Sequence, residues 1–373
     1  MMNMKITSNK ESLIKGIQVI QSAVTSKAGA LPVLQNFLIE TDENGLKLVS
    51  TDLEMAIKHF IKVDIKNDGS VTIPMKKFVD VVQNLDKEEV NIFVDEASKI
   101  AINSGKTKIK IGGLPKSDYP LIPDIEEKDS FKIKALDIMN MIEKTVFSSA
   151  ADDERHFLNG LLWKNEKGVF SIVATDGRRL AVTWKEGLKI KKDFKVIIPS
   201  KIMNELVKFI KTNVKDEKEE MTVGLSTNQV GFKFGKTVFI SRLIEGNFPA
   251  YEQIIPKTTE FKAEVNAEKL LAATKRAAIC SNDRGGAVKY TLKKNVLIVN
   301  ASSQTMDFED ELDMDFSGKE FQISYNPKFI TDILKNVGSK KVTFEFTGPA
   351  TPSIVKSAAD AELLYIVMPL RAQ

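Results

Sequence analysis

The sequence predicts an α+β protein made of three similar domains, each with antiparallel sheets. Three observations support this class: the length of 373 residues, a repeat of about 125 residues, and strands joined as hairpins. Domains usually contain about 100–200 residues, so the length alone suits two or three of them. The chain is 43% hydrophobic and 28% charged, which is typical of a globular protein. No apolar run approaches the roughly 18–20 residues of a membrane span, so no membrane partner is expected.

Three segments of the chain open alike, each with a short alternating strand followed by an amphipathic helix. They are MKITSNKESLIKGIQVIQSAV from Met4, FKIKALDIMNMIEKTVFSSA from Phe131 and FKAEVNAEKLLAATKRAAIC from Phe261. Equivalent positions in the second helix of each copy are Val82, Val207 and Leu334. A period this long is that of a whole domain rather than of a solenoid unit. The predicted domains are residues 1–127, 128–256 and 257–373.

Pairs of strands lie between the helices of each copy. They contain LVSTDLEMAI, IVATDGRRLAV and IVNASSQTMDF, and Thr51 and Thr175 lie 124 residues apart in the first two. Asn44-Gly45 and Asp68-Gly69 are typical hairpin turns. Because long helices alternate with hairpins rather than with single strands, antiparallel domains are favoured over a doubly wound parallel sheet.

The basic residues are unevenly distributed, although the net charge is only +4. Only seven of the 54 basic residues are arginine, and lysine suits sequence-blind contact with phosphates. A lysine-rich genome explains the same bias equally well. The predicted helices are residues 10–24, 75–86, 134–149, 200–215, 267–279 and 327–341. They carry 17 basic and eight acidic side chains, so the remainder is net acidic. If the fold gathers these helices on one surface, that surface would attract a polyanion. The alternative is that each basic helix simply has an ordinary face in contact with solvent.

Two predicted strands carry opposite charges. Lysines alternate along 106–110 of the first copy, whereas acids alternate along 307–315 of the third. Charged edges commonly prevent aggregation. Opposite charges also suit head-to-tail pairing of two chains, which could close a ring.

Little in the sequence indicates catalysis. The single cysteine excludes an internal disulfide, and two distant histidines make a zinc site improbable. Gly105-Lys106-Thr107 and Gly235-Lys236-Thr237 lack the earlier glycine of a phosphate-binding loop. We predict no catalytic residue, no metal and no cofactor; acids brought together from separate strands remain the enzymatic alternative. The N-terminus lacks the apolar core of a secretory signal, so a cytoplasmic protein is expected.

Six motifs carry a family resemblance. They are LPVLQNFLIE (31–40), STDLEMAI (50–57), RHFLNGLLW (155–163), ATDGRRLAV (174–182), NFPAYEQIIP (247–256) and YIVMPLR (365–371). In this order they resemble the bacterial DNA polymerase III beta subunit family, the sliding clamps. The resemblance spans essentially the whole chain.

The resemblance implies the DNA clamp fold, with antiparallel sheets outside, helices inside, and a head-to-tail dimeric ring around duplex DNA. It implies a processivity factor without catalysis, which binds DNA independently of sequence and tethers the replicative polymerase. A second clamp copy that serves repair or antibiotic tolerance is an alternative within the family.

The family also has an apolar pocket that receives short linear peptides from the polymerase, the clamp loader and repair proteins. Carried onto this chain, the resemblance implies a pocket formed by Leu158, Thr175, Gly177, Arg178, Arg179, Leu180, Pro249, Ile254, Ser353, Val367, Met368, Pro369, Leu370 and Arg371. Aliphatic side chains give such a pocket an adaptable apolar surface, and arginines supply donors.

Two further sets follow from the resemblance. The implied dimer interface comprises Lys106, Lys108, Ile109 and Ile111 of the first domain and Ile279, Cys280, Glu309 and Glu311 of the third. The implied DNA-binding residues are His156, Phe157 and Lys201.

Overall fold

The computed structural model describes residues 2–25, 31–43, 45–124, 130–281 and 286–370. The chain divides into two compact units, residues 1–136 with 208–243 and residues 137–207 with 244–373. The predicted boundary at 127/128 lies outside the described residues, and the boundary at 256/257 stays a prediction.

Six α-helices are present among the described residues, each where one was predicted. They are α1 (Lys10–Ile20), α2 (Met75–Gln83), α3 (Ala135–Val146), α4 (Ser200–Asn213), α5 (Ala267–Cys280) and α6 (Pro327–Asn336). Asn9, Asn266 and Asn326 cap three of them by accepting N–H groups of the first turn. Most end several residues before the predicted windows do. After α1 the chain tightens into a 3₁₀ turn at Gln21–Ala23, and after α6 it turns at Gly338 with φ +64°.

Twenty-five strands are described, and all of their pairings are antiparallel, as predicted. They are β1 (Met2–Asn9), β2 (Asn36–Asp42), β3 (Gly45–Thr51), β4 (Met55–Ile61), β5 (Asp64–Asn67), β6 (Ser70–Pro74), β7 (Glu89–Asp95), β8 (Lys99–Ser104), β9 (Thr107–Gly112), β10 (Phe131–Lys134), β11 (Gly160–Glu166), β12 (Val169–Thr175), β13 (Arg179–Glu186), β14 (Phe194–Pro199), β15 (Glu220–Leu225), β16 (Gln229–Phe234), β17 (Thr237–Arg242), β18 (Phe261–Asn266), β19 (Val288–Lys293), β20 (Val296–Ser302), β21 (Asp307–Asp315), β22 (Phe321–Tyr325), β23 (Lys341–Phe346), β24 (Ser353–Ser357) and β25 (Leu363–Val367). The hairpin predicted at Asp68-Gly69 is wrong, because β5 pairs with β1 and β6 pairs with β2, so these two residues connect strands of different sheets. Asn44 lies outside the described residues.

The first unit contains two sheets. One has the order β5-β1-β7-β8-β9, and the other has the order β10-β15-β16-β17-β4-β3-β2-β6. Helix α1 buries Leu13, Ile17 and Ile20 and packs on β3 and β4. The second sheet joins two predicted domains, because β17 of the second copy pairs with β4 of the first.

The second unit contains one sheet of twelve strands, in the order β14-β11-β12-β13-β25-β24-β23-β18-β21-β20-β19-β22. Here β25 of the third copy pairs with β13 of the second, so this joint repeats the one between β17 and β4. Helices α5 and α6 pack against each other, and α5 also packs on β20 and β21. Within the described residues, no helix is long and apolar enough to cross a membrane.

Candidate functional site

A tight turn between β12 and β13 stands at the centre of the predicted pocket. Residues 175–179, here called the Thr175 turn, are closed by four hydrogen bonds. Thr175 Oγ1 donates to the carbonyl oxygen of Arg179 at 2.7 Å and accepts the N–H of Gly177 at 3.0 Å. Asp176 Oδ1 accepts the N–H groups of Arg178 and Arg179 at 2.9 and 3.0 Å. Gly177 has φ +83°, a conformation that glycine adopts without steric cost.

Arg179 lies beneath this turn and is only 6% exposed. Its guanidinium donates to Asp176 at 3.0 Å, to Asp332 of α6 at 2.8 Å and to the carbonyl oxygen of Phe147. The guanidinium carbon lies 5.4 Å from the ring centre of Phe147 and 4.7 Å from that of Phe329. Because its donors are engaged inside the protein, Arg179 joins the turn to α6. The exposed guanidinium of the neighbouring Arg178 faces solvent instead.

The segment that follows β25 runs beside the Thr175 turn. The N–H of Met368 donates to the carbonyl oxygen of Arg178 at 2.9 Å, and the N–H of Leu370 donates to that of Ser324 at 2.7 Å. These bonds leave the side chain of Met368 38% exposed. Beneath this segment, the hydroxyl groups of Ser353 and Tyr325 form a buried hydrogen bond.

A second segment, residues 248–255, covers the sheet next to the turn. Phe248 and Tyr251 are buried and pack with Leu180 in one hydrophobic cluster. Burial raises the pKa of Tyr251 to about 12. Ile254 points outward and is 46% exposed, and Pro249 is also exposed. The segment therefore exposes an aliphatic side chain, Ile254, next to residues that are buried in the core.

The loop before β11 lies on the other side of Gly177. Arg155 donates to Asp153 at 2.9 Å, and this hydrogen bond lowers the pKa of Asp153 to about 2. A side chain at position 177 would meet the guanidinium of Arg155 at 3.6 Å. In the same loop, His156 is exposed and Phe157 is half-buried.

These features form an apolar surface with a cationic rim. Aliphatic side chains are exposed at Ile254 and Met368, and Leu370 is half-buried. Arg178 supplies an exposed cation, and the glycine at 177 leaves the turn open to a ligand backbone. Such a surface suits an extended peptide with apolar side chains, because aliphatic groups and Met adapt to varied ligands.

The predicted pocket residues, of which all but one are described by the structure, fall into two groups by exposure. Buried members that support the surface are Leu158, Thr175, Arg179, Leu180, Ser353 and Val367. Exposed or half-buried members are Gly177, Arg178, Pro249, Ile254, Met368, Pro369 and Leu370. Arg371 lies outside the described residues.

Sequence reasoning did not single out Arg155, Phe248 or Tyr251. The two aromatic residues lie inside the NFPAYEQIIP motif. Because large aromatic side chains are usually buried, they could have indicated that this segment packs on the sheet. The contacts of Arg179 with α6 and Phe147 had no such signal, because they join residues distant in the chain.

The two charged strands are confirmed, and both have unpaired edges within the described residues. Strand β9 is the last strand of its sheet, and β21 pairs with β18 only at Met314 and Asp315. On β9, Lys106, Lys108 and Lys110 border or lie on the strand as exposed residues, whereas Ile109 and Ile111 are more buried. On β21 the exposed residues are Asp307, Glu309, Glu311, Asp313 and Asp315. Ile279 at the end of α5 is 70% exposed, and Cys280 is buried.

Helix α4 shows how the basic helices are arranged. Its exposed residues include Lys201, Lys208 and Lys211, and their spacing places them on one side of the helix. The opposite side buries Ile202, Leu206 and others against the core. In the residues that the structure describes, no group of His, Cys, Asp and Glu could hold a metal ion.

Comparison with known proteins covers almost the whole chain. Family models described as the N-terminal, central and C-terminal domains of the DNA polymerase III beta subunit match residues 4–123, 132–250 and 252–371. Beta sliding clamps of Haemophilus influenzae and Escherichia coli K12 are each 30% identical to the chain, with 99% of the chain and 100% of each relative covered.

Solved structures give the same result. The crystal structure of a DNA polymerase sliding clamp from Bacillus subtilis is 28% identical, with a TM-score of 0.94 and full coverage of both chains. A sliding clamp from Pseudomonas aeruginosa bound to griselimycin is 27% identical, with a TM-score of 0.91 over 99% of this chain and 100% of that one.

Proposed function

The chain belongs to the DNA polymerase III beta subunit family, the sliding clamps, and from this we propose how it acts as a DNA polymerase processivity factor. Two copies close head to tail into a ring around duplex DNA. The ring holds the replicative polymerase and other partners through short peptides. It is a binding protein rather than an enzyme, and it works in the cytoplasm.

The observation that carries this proposal is a pairing between strands of successive copies, here called a joint. It occurs twice within one chain. Strand β17 pairs with β4 so that Ser241 lies opposite Met55, and β25 pairs with β13 so that Val367 lies opposite Arg179. Met55 and Arg179 end equivalent turns in the first two copies. A third joint of the same kind would join β21 to β9, the corresponding strands of the third and first copies. Within the described residues β9 ends its sheet and most of β21 has one unpaired edge. Strands β5, β6, β10, β14 and β22 also end sheets, but β9 and β21 are the pair that occupies the corresponding positions and carries opposite charges.

The side chains on the two edges suit this joint. In an antiparallel pair, residues opposite each other point to the same face of the sheet. Exposed Lys106 and Lys108 of one chain then lie beside exposed Glu309 and Glu311 of the other. On the opposite face, Ile109 and Ile111 meet the end of α5 with its exposed Ile279 and neighbouring Cys280. Pairing also satisfies the backbone N–H and C=O groups that the two edges leave without a strand partner.

DNA binding is assigned to the basic helices. Lysines on one side of α4, including Lys201, would contact phosphates, and phosphate contacts position a protein without reading sequence. The loop with His156 and Phe157 adds an aromatic and an imidazole group near the start of β11. Weak, salt-dependent contacts of this kind permit sliding, since the closed ring rather than affinity keeps the protein on DNA.

Partner binding is assigned to the surface around the Thr175 turn. Its exposed Ile254 and Met368 would receive apolar side chains of a partner peptide, and Arg178 would receive a carboxylate or carbonyl group. Glycine at 177 permits close approach of the peptide backbone.

Retention on circular DNA tests the proposal. The full chain is loaded onto nicked circular DNA by an active cognate clamp loader with ATP, and the complex is washed in high salt. We expect the protein to stay bound until the circle is cut, because a closed ring leaves only over a free end.

A linear DNA of the same sequence is the control, and it should lose the protein in the same wash. Release from the uncut circle in salt alone would contradict the proposal, because electrostatic binding weakens steeply with salt whereas topological retention does not.

A further inference from the structure

The turn between β3 and β4 repeats the Thr175 turn bond for bond. In these residues, 51–55, here called the Thr51 turn, Thr51 Oγ1 donates to the carbonyl oxygen of Met55 at 2.8 Å and accepts the N–H of Leu53 at 3.0 Å. Asp52 Oδ1 accepts the N–H groups of Glu54 and Met55 at 3.1 and 2.8 Å. The chain thus builds the backbone of the pocket turn twice.

The neighbouring strand closes both turns in the same way. The N–H of Arg242 donates to the carbonyl oxygen of Glu54 at 2.9 Å, and the N–H of Met368 donates to that of Arg178 at the same distance. The third copy departs from this pattern at its first residue, because the hydroxyl of Ser302 donates to Asp307 Oδ1 at 2.7 Å, whereas those of Thr51 and Thr175 donate to a backbone carbonyl of their own turn. The likeness is therefore confined to the first two copies.

Leu53 occupies the position that corresponds to Gly177. Its φ is +76°, a backbone conformation that a leucine adopts only at a cost in free energy, and its side chain is 45% exposed. The four hydrogen bonds of the turn hold Leu53 in this conformation. Strained residues held in this way cluster at active sites, ligand-binding sites and switch regions.

A second aliphatic side chain is held outward beside this turn. Leu121 is 95% exposed, although both of its flanks are anchored. Before it, the hydroxyl of buried Tyr119 donates to backbone carbonyls of Asn36 and Val49 at 3.4 and 3.3 Å. After it, buried Lys58 donates to the carbonyl oxygens of residues 122 and 123 at 3.1 and 3.0 Å. The same pattern surrounds Ile254 in the pocket, which follows buried Tyr251 and precedes a proline.

A groove of about 90 Å³ lies between these parts, lined by residues that include Leu53, Leu121, Ile240 and Arg242. Arg242 is exposed, and no ion pair engages its side chain in the part of the chain that the structure describes. Glu54 is exposed on the same turn without an ion pair to it. An unpaired guanidinium at the edge of an apolar groove favours a ligand that carries a carboxylate next to an aliphatic group.

We propose that this groove is a second docking site for partner proteins. Its occupant is a short extended segment whose aliphatic side chain contacts Leu53 and Leu121 and whose carboxylate binds Arg242. The inference rests on the proposed function, because the equivalent pocket at the Thr175 turn defines the class of ligand. Leucine in place of glycine makes this site narrower, so it selects differently from the pocket.

Methyl NMR on the full-length dimer tests both sites separately. The probe is the blocked pentapeptide acetyl-Ala-Leu-Asp-Leu-Ala-amide, titrated to millimolar concentration. The methyl groups of Leu53 and Leu121 report the second site, and those of Met368 and Leu370 report the pocket. We expect saturable shifts in both sets. Replacing the aspartate of the peptide by lysine should weaken the effect at Leu53 by about tenfold, because attraction to Arg242 becomes repulsion.

Two variants locate the second site. Arg242→Glu should weaken the shift at Leu121 by about tenfold and leave the shift at Met368 unchanged. Leu53→Gly removes the aliphatic contact while glycine keeps the φ of the turn, so the fold is retained and the shift at Leu121 is lost. Shifts at Met368 without any at Leu53 or Leu121 would overturn this inference alone. Shifts at neither set would overturn it together with the pocket assignment.

Discussion

Arg178 and Arg179 are adjacent in sequence, but one guanidinium faces solvent and the other is buried between two phenylalanine rings and two carboxylates. We expect Arg179→Met to lower the free energy of unfolding by about 3 kcal/mol, because removing one partner of a buried ion pair leaves Asp176 and Asp332 uncompensated. Methionine retains much of the side-chain length, so loss of charge is the main change. Urea unfolding of the full chain, followed by circular dichroism, measures the difference.

Arg178→Met is the matched control, since it removes the same charge from an exposed position. Its effect should stay within about 0.5 kcal/mol. Equal losses for the two variants would contradict a structural role for the buried guanidinium. The sequence alone does not distinguish the two arginines, because the partners of Arg179 include Asp332 and the carbonyl oxygen of Phe147, which are distant in the chain.

At the scale of elements, local signals were sufficient wherever a few neighbouring residues decide the structure. The apolar spacing placed a helix in each of the six predicted windows. The hairpin predicted at Asp68-Gly69 did not form, because β5 and β6 pair with strands of different sheets and no local pattern shows that. Most helix ends were placed too late, because a 3₁₀ turn after α1 and a left-handed glycine after α6 terminate a helix without breaking its apolar pattern. Strand order across the joints depends on pairing between distant segments, which only the internal repeat and the family resemblance could indicate.

The segment after β25 gives a prediction at this scale. Replacing Met368 and Leu370 by alanine removes aliphatic surface from the pocket, and each lost buried methylene costs about 0.8 kcal/mol of binding. We therefore expect the affinity for acetyl-Ala-Leu-Asp-Leu-Ala-amide at the pocket to fall more than tenfold. The methyl group of Ile254, which is not mutated, reports the affinity by NMR.

Sedimentation velocity on the same double variant provides the control. The dimer should be unchanged, because the segment after β25 contacts the Thr175 turn and Ser324 rather than β9 or the free edge of β21. Dissociation of the dimer would contradict the pocket assignment, since the substituted residues would then support the interface.

At the scale of the whole molecule, the free edges decide whether two joints between chains are added to the four within the two chains, so that a ring with six joints closes. Lys106→Glu with Lys108→Glu should weaken the dimer by at least about tenfold at low salt, because like charges would then lie across the proposed joint. The loss should shrink as salt is added, since exposed charges are screened. Glu309→Lys with Glu311→Lys should have the same effect. All four substitutions together should restore much of the affinity, because opposite charges again face each other.

Sedimentation equilibrium at two salt concentrations measures these dimer affinities. A control variant separates an effect of net charge from an effect of the joint. Lys62→Glu with Lys66→Glu makes the same change in net charge at exposed positions in and just before β5, at the opposite end of that sheet from β9. If this control weakened the dimer as much as the β9 variant, the effect would come from net charge rather than from the joint. If the four-fold variant stayed monomeric, β9 and β21 would not be partners, and the third joint would have to use other strands. If the two double variants weaken the dimer and the four-fold variant restores its affinity, β9 and β21 pair between chains. The joint that occurs twice within each chain would then also form between chains.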